Sequence, residues 1–270
     1  MSDEPDDSRI LMTLGDHLLE LRKRVLRCVI AIGLGLVVSF WFGVELTIWL
    51  SRPVVEAMRS AGVADPKLLA RSIQEPFLVY TNISLVAGFV LASPYVFWEL
   101  WQFVAAGLMP RERRWVKIFA PVTVALFLLG TVFAYYIAIR LGLRFLAGFA
   151  MDMTASGMPI DYRPGITESV SMVVTLSVIM GLIFQLPLVI MFLSALRVVQ
   201  VSSLTKLRKP FILVAFILGA VLTPSVDPLT QTAISLPLVL LYEIGVQAAK
   251  IMEKRRARRA AEETANGAER

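Results

Sequence analysis

Two acidic residues surrounded by basic ones are the side chains of this sequence best suited to bind a ligand. Glu20 lies within HLLELRKR, residues 17–24, just before a long apolar segment. Glu112 lies within PRERR, residues 110–114, just after another apolar segment that contains two tryptophans. A carboxylate accepts two parallel hydrogen bonds from a guanidinium, so this pair could bind the arginine side chains of a short basic peptide.

The same charges could instead pair within the chain. Glu20 stands four residues before Arg24, the spacing at which oppositely charged side chains meet on a helix, and Glu112 directly precedes Arg113 and Arg114. Such exposed pairs are common and contribute little. From the charge pattern alone, local pairing is the simpler interpretation, and both interpretations stay open at this point.

Residues that could support catalysis or a metal site are lacking in the sequence. His17 is the only histidine and Cys28 the only cysteine, and no zinc-protease, serine-hydrolase or P-loop motif is present. An intramembrane protease would need a Ser–His pair or paired aspartates in its spans. We therefore expect no enzyme, no catalytic residue, no metal and no cofactor.

The composition indicates a membrane protein. Apolar residues make up 57% of the chain, the mean hydropathy is +0.70, and several apolar runs exceed the roughly 18 residues typical of a transmembrane helix. We predict an all-α membrane protein with one transmembrane domain, residues 1–249, and a basic, polar cytoplasmic tail, residues 250–270. Its six spans are expected at about residues 25–49, 77–104, 115–139, 167–196, 210–223 and 229–247.

The last two spans are short. Residues 211–222 cover only about 18 Å of a hydrocarbon core about 30 Å thick, so this pair is either two short spans or one re-entrant hairpin. Prolines interrupt four spans and predict kinks, because each removes one backbone hydrogen bond. Kinked helices of unequal length predict a cup-shaped body. These prolines are Pro94, Pro121, Pro187 and Pro237.

The distribution of basic residues predicts the orientation of the chain in the membrane. When loops are assigned alternately to the two membrane faces, one face holds all but seven of the 27 lysines and arginines, counting those of both termini. By the positive-inside rule, both termini are cytoplasmic. The net charge of +6 therefore reflects membrane topology and not a nucleic-acid partner. The seven are Arg52, Arg59, Lys67, Arg71, Arg140, Arg144 and Arg163.

The span centres carry no charged residue, which disfavours an ion-coupled carrier; a small-solute transporter is kept as the alternative function. The deepest polar side chain is Gln185, close to the Pro187 kink. Thr223 and Gln231 belong to a polar patch on the last two spans. These side chains could bond neighbouring helices of this chain or form a docking face for the transmembrane helix of another protein.

Four landmarks, in order along nearly the whole chain, resemble the TatC family, the multispanning subunit of the twin-arginine (Tat) protein translocase. They are His17-Leu18-x-Glu20-Leu21-Arg22-x-Arg24; Ser93-Pro94-x5-Leu100-Trp101-x-Phe103 leading to Glu112-Arg113-Arg114; Phe184-x-x-Pro187; and Leu222-Thr223-Pro224 with Asp227 and Gln231. The chain differs from some relatives at Gln185, where they carry glutamate, at Ala106, where proline is common, and in a longer loop before Gln231.

The resemblance implies a bacterial inner-membrane protein that binds twin-arginine signal peptides on folded cargo and nucleates assembly of the translocon, which the protonmotive force drives. Implied partners are single-span proteins of the TatA and TatB type, the lipid bilayer and further copies of the chain. The implied signal-peptide contacts are Glu20, Arg22, Phe103, Glu112 and Arg113. The implied partner-helix site is Gln185, Thr223 and Gln231, and the implied structural or outer-loop positions are Pro53, Pro94, Pro187 and Asp227.

Overall fold

Long apolar helices dominate the chain. A computed structural model describes residues 14–108, 113–158, 161–222 and 228–268. Five helical stretches within these ranges are long and apolar enough to cross a membrane: His17–Trp41, Glu75–Ala106, Trp115–Ala155, Ile166–Ala195 and Pro228–Arg255. A shorter apolar helix of 15 residues lies between the last two. The prediction of an all-helical, multi-pass membrane protein with a short fifth helix is confirmed.

Ten α-helices make up the described ranges. They are α1 (Leu14–Trp41), α2 (Gly43–Ser60), α3 (Glu75–Ala106), α4 (Arg113–Phe133), α5 (Ile139–Ala155), α6 (Ile166–Ile183), α7 (Leu186–Ala195), α8 (Val201–Lys206), α9 (Arg208–Leu222) and α10 (Pro228–Ala268). A π-helical turn, Ala134–Ala138, joins α4 to α5. The chain divides into two compact units, one formed by residues up to Trp49 with Gln74–Ala125, the other by Leu50–Ile73 with the residues from Leu126 onward.

The first unit is built on close contact between α1 and α3, which small residues permit. A Cβ atom added to Gly35 would lie 2.5 Å from the carbonyl oxygen of Gly88, and one added to Gly88 would lie 2.9 Å from the backbone of Leu36. In lipid, where apolar burial gives helices little reason to associate, this backbone approach supplies packing contacts. The Tyr80 hydroxyl adds a hydrogen bond to the carbonyl oxygen of Phe40, at 2.8 Å.

The second unit surrounds a hydrophobic core to which α2, α4, the π-helical turn, α5, α6, α9 and α10 contribute. Fully buried side chains such as Phe127, Met180, Ile234 and Leu238 lie in this unit. In its connecting segments, the backbone of Leu69 donates a hydrogen bond to Pro164 and accepts one from Ile166, both at 3.0 Å. These bonds hold residues 61–73 beside the start of α6.

Several helices extend beyond the predicted spans. We expected the first span to end at about residue 49 and Pro53 to lie in the outer loop after it, but α2 continues through Pro53 to Ser60. Val54, Ala57 and Met58, at helical spacing, bury one face of this helix. The third span likewise continues through the π-helical turn to the end of α5. The predicted sixth span is the apolar part of α10, a 41-residue helix that continues through the basic tail. That tail is rich in alanine, lysine, arginine and glutamate, all good helix formers.

The prolines have unequal effects on the helices. Pro187 follows a break between α6 and α7 at Phe184 and Gln185, as the predicted kink requires. Pro94, Pro121 and Pro237 lie inside continuous helices. The break places Pro187 in the first turn of α7, where its missing N–H removes no intrahelical hydrogen bond.

The α1–α3 contact gives a stability prediction. Gly35→Ala should lower the thermal unfolding temperature of the purified protein in detergent, because the new methyl group meets the Gly88 backbone, at a cost of roughly 1–3 kcal/mol. Gly33→Ala on the same helix is the matched control, since nothing lies within 4 Å of its added Cβ. Equal unfolding temperatures for the two variants would show that the close approach does not stabilise the first unit.

Candidate functional site

An ion-pair network connects the beginning of α1 to α3. Arg24 donates from Nε to Oε1 of Glu20 at 3.1 Å and from Nη1 to Oε2 of Glu99 at 3.0 Å. Its Nη2 also contacts Oε1 of Glu20. One guanidinium is thus shared between a carboxylate on its own helix and a carboxylate on α3. We call Glu20, Arg24 and Glu99 the shared-arginine network.

Glu99 is the buried member of this network, with only 4% of its surface exposed. Its Oε1 also receives the hydroxyl of Tyr95 at 3.0 Å and Nη1 of Arg27 at 3.4 Å. A buried carboxylate needs such partners, because removing a charge from water without compensation costs several kcal/mol. Glu99 is therefore a neutralised anchor that holds α1 against α3.

A cavity of about 260 Å³ lies beside the network. Among the described residues of its lining, Glu20 is the one carboxylate, and three side chains, Arg24, Arg113 and Lys117, are cationic. The other described residues of the lining are Gln102, Ala105, Ala106 and Val116. The cavity thus contains a carboxylate able to bind a guanidinium, together with basic groups that repel every cation. Only a cation that forms good hydrogen bonds to the carboxylate would offset this repulsion.

Aromatic side chains connect the helices that line this cavity. The rings of His17 and Phe103 stack with centroids 4.4 Å apart and planes inclined by 26°. Buried Trp101 donates its indole N–H to the hydroxyl of Thr123 on α4 at 2.7 Å. These contacts hold the first turn of α1 and the middle of α4 against the last turns of α3, which contribute Gln102, Ala105 and Ala106 to the cavity lining.

The structure brings together some of the predicted signal-peptide residues. Glu20 and Arg113 both line the cavity, and Phe103, which directly follows the lining residue Gln102 on α3, stacks on His17 instead of lining it. Arg22 is exposed on α1 and does not belong to the described lining. Glu112 lies outside the described residues. The local pair between Glu20 and Arg24, the simpler interpretation of the sequence, is present.

The predicted partner-helix residues are less closely grouped. Gln231 on α10 donates from Nε2 to the carbonyl oxygen of Phe216 on α9 at 2.9 Å, so it links these two helices. Gln185 lies at the α6–α7 break and directs Nε2 toward the carbonyl oxygen of Gly181 at 3.5 Å. Thr223 lies outside the described residues. The polar patch therefore includes bonding between helices of this chain, one of the two sequence interpretations.

The predicted structural prolines occupy different surroundings. Pro53 is fully buried within α2, Pro187 is buried at the start of α7, and Pro94 is exposed within α3. Asp227 lies outside the described residues. Among the residues that are described, no group of three or more histidines, cysteines or acidic residues is placed to hold a metal ion.

The member of the shared-arginine network that sequence reasoning missed is Glu99. The sequence placed it near the end of a span but gave it no partner. Two spacings were available as signals: Tyr95 and Glu99 are four residues apart, and Arg24 and Arg27 are three apart, so each pair shares a helix face. Neither spacing reveals that the two faces meet across 75 residues of sequence.

Comparison with known proteins identifies the family. Residues 16–237 match the family model described as Sec-independent protein translocase protein (TatC). A TatC protein of Desulforapulum autotrophicum is 34% identical over 89% of this chain and 85% of its own, and one of Koribacter versatilis is 32% identical over 95% and 92%. A crystal structure titled as the twin-arginine translocase receptor TatC superposes with a TM-score of 0.73 at 31% identity, covering 87% of this chain and 98% of that one. The chain therefore belongs to the TatC family and is a multi-pass membrane subunit of the Tat protein translocase, not an enzyme.

Proposed function

We propose that this subunit recognises twin-arginine signal peptides on folded cargo and nucleates assembly of the translocon, with transport driven by the protonmotive force. One observation carries the proposal. Glu20 lines an open cavity, and its carboxylate already binds two nitrogens of the Arg24 guanidinium. The geometry needed to accept an arginine side chain is thus present before any peptide arrives.

Arginine suits this carboxylate better than lysine does. A guanidinium presents a planar fork of N–H groups that matches the two lone-pair directions of a carboxylate, whereas an ammonium offers one compact charge. Arg113 and Lys117 on the same cavity raise the electrostatic cost for every incoming cation. A ligand must therefore recover that cost through well-directed hydrogen bonds, and this favours arginine.

A second acidic residue would account for the second arginine of the signal. Glu112 is the candidate, because its sequence neighbour Arg113 lines the cavity with Glu20. Phe103, which follows the lining residue Gln102 and stacks on His17, offers an aromatic surface for the apolar part of a signal peptide. Glu20, Arg22, Phe103, Glu112 and Arg113 together form the proposed signal-peptide site.

The charge distribution supports a location and an orientation. We place the chain in the bacterial cytoplasmic membrane with both termini in the cytoplasm, because most lysines and arginines lie at the termini and in the loops on that side. The beginning of α1, the end of α3 and the beginning of α4 would then face the cytoplasm. Signal peptides of newly folded cargo would reach the cavity directly from that side.

Partner proteins would dock on the second unit. We propose that Gln185, Thr223 and Gln231 bond polar groups on the single transmembrane helices of TatA- and TatB-type partners. Polar side chains at helix interfaces in lipid contribute roughly 0.6–2 kcal/mol each, enough to select a site while leaving the association reversible. Further copies of this chain would join the same receptor complex.

The first test concerns the carboxylate. Glu20→Gln in the purified full-length protein should weaken binding of a fluorescent twin-arginine signal peptide by roughly 10- to 100-fold, the loss of about 1.5–3 kcal/mol expected for a charged hydrogen-bonded contact. Glu45→Gln, which alters an exposed carboxylate on α2, should leave the affinity unchanged. Unaltered binding to Glu20→Gln would remove Glu20 from the site.

The second test concerns the other acidic residue. Glu112→Lys should abolish export of a twin-arginine reporter and crosslinking to its signal peptide, because a cation replaces the proposed acceptor. The variant should still be produced and unfold at the same temperature as the parent protein. Persistent export by the folded variant would show that Glu112 does not contact the signal.

The third test separates partner docking from peptide binding. Gln185→Leu and Gln231→Leu should reduce co-purification of single-span partners several-fold, while peptide affinity changes by less than about twofold. Gln247→Leu is a control on α10, since Gln247 bonds Glu243 of its own helix. Undiminished partner recovery, with the unfolding temperature unchanged, would contradict the proposed docking site.

A further inference from the structure

The carboxylate proposed to receive the signal arginine is occupied by Arg24 in this structure. Arg24 contacts Oε1 of Glu20 through both Nε and Nη2. These are the two nitrogens along one edge of the guanidinium, the edge that an incoming arginine would also present. The Arg24 side chain is 15% exposed and that of Glu20 is 23% exposed, so the pair is partly shielded from water. A peptide arginine cannot use this oxygen fully while Arg24 remains on it.

Arg24 already has a second hydrogen-bond acceptor. Its remaining terminal nitrogen, Nη1, already donates to Oε2 of buried Glu99 at 3.0 Å. Arg27 and Tyr95 share the other oxygen of that carboxylate. If Arg24 released Glu20, its charge would stay neutralised by Glu99, and Glu99 would keep the compensation that its burial demands. The displaced guanidinium therefore need not enter water or leave the helix interface.

We propose that Arg24 is an affinity-determining residue that works by guanidinium exchange, an inference that rests on the proposed function. An incoming arginine takes Glu20, and Arg24 is retained by Glu99. No covalent bond forms or breaks in this exchange. One set of charge-assisted hydrogen bonds replaces another. The shared-arginine network thus acts as an internal competitor for the signal.

Competition of this kind explains how an acidic cavity can avoid basic peptides in general. A competitor already in place lowers the affinity of every cationic ligand by the same factor, so only ligands with strong intrinsic contacts still bind at working concentrations. The intrinsic preference of Glu20 for arginine over lysine is unchanged. Arg24 sets the intrinsic affinity that a peptide needs in order to bind. The paired-arginine signal exceeds this threshold, and its two-lysine counterpart does not.

The proposal predicts opposite changes in peptide affinity for a single variant and a double variant of the network. Glu99→Gln removes the second acceptor, so Arg24 should hold Glu20 more firmly and peptide affinity should fall. The double variant Arg24→Gln/Glu99→Gln removes the competitor without leaving a buried carboxylate short of partners, and it preserves the net charge. Its affinity for both the twin-arginine peptide and its two-lysine counterpart should rise by the same factor, roughly three- to tenfold.

The experiment measures both peptides by fluorescence anisotropy on the purified full-length protein, with thermal unfolding as a check of folding. Arg24→Lys is a second route to the same answer, because a lysine keeps the charge beside Glu99 yet competes less well for Glu20. Lys23→Gln controls for the loss of one nearby positive charge, since Lys23 is exposed. It should change affinity by less than about twofold at physiological ionic strength.

The outcomes separate the exchange from the function beneath it. Higher affinity in both Arg24 variants, with an unchanged ratio between the peptides, supports exchange. Unchanged or lower affinity in both, while Glu20→Gln still loses binding, overturns exchange and leaves the signal-peptide site intact. Equal binding by Glu20→Gln and the parent protein overturns the site itself, and exchange with it.

Discussion

The first unit depends on the neutralisation of one buried carboxylate. Glu99 lies on a transmembrane helix with 4% of its surface exposed, and an unpaired charge there would cost several kcal/mol. Arg24, Arg27 and Tyr95 meet that demand, and two of these three come from α1. The need to keep Glu99 paired therefore holds α1 to α3 at the end where the cavity opens, and it fixes Arg24 beside Glu20.

Close helix packing further along the same interface makes this arrangement possible. Gly35 and Gly88 let α1 and α3 approach until an added Cβ would touch backbone atoms. Charged contacts have a short useful range, so Arg24 reaches across to α3 only because the helix axes are held near each other. Trp101 and Thr123 then add α4 to the same assembly. Backbone packing thus positions the charges, and the charges complete the site.

The sequence allowed much of this to be predicted, for identifiable physical reasons. Apolar runs and span lengths predicted a multi-pass helical protein, including the short α9, because a membrane imposes a length on each apolar run. The pairing of Glu20 with Arg24 followed from i,i+4 spacing. Local rules failed where tertiary contacts decide the structure. Helix α2 continues through Pro53 because its buried face packs in the second unit, and Glu99 is paired with Arg24, 75 residues away in the sequence.

The family assignment displaces the small-solute transporter considered at the outset, which the uncharged span centres had already disfavoured.

The central claim, that the Glu20 carboxylate receives a signal arginine, is tested most directly by a double-mutant cycle between protein and peptide. The parent protein and its Glu20→Gln variant would each bind a twin-arginine peptide and versions in which one arginine is replaced by citrulline, a neutral residue of nearly the same shape. The account predicts a coupling on the order of 1.5–3 kcal/mol for one of the two arginines and near zero for the other. Additive effects at both positions would contradict it.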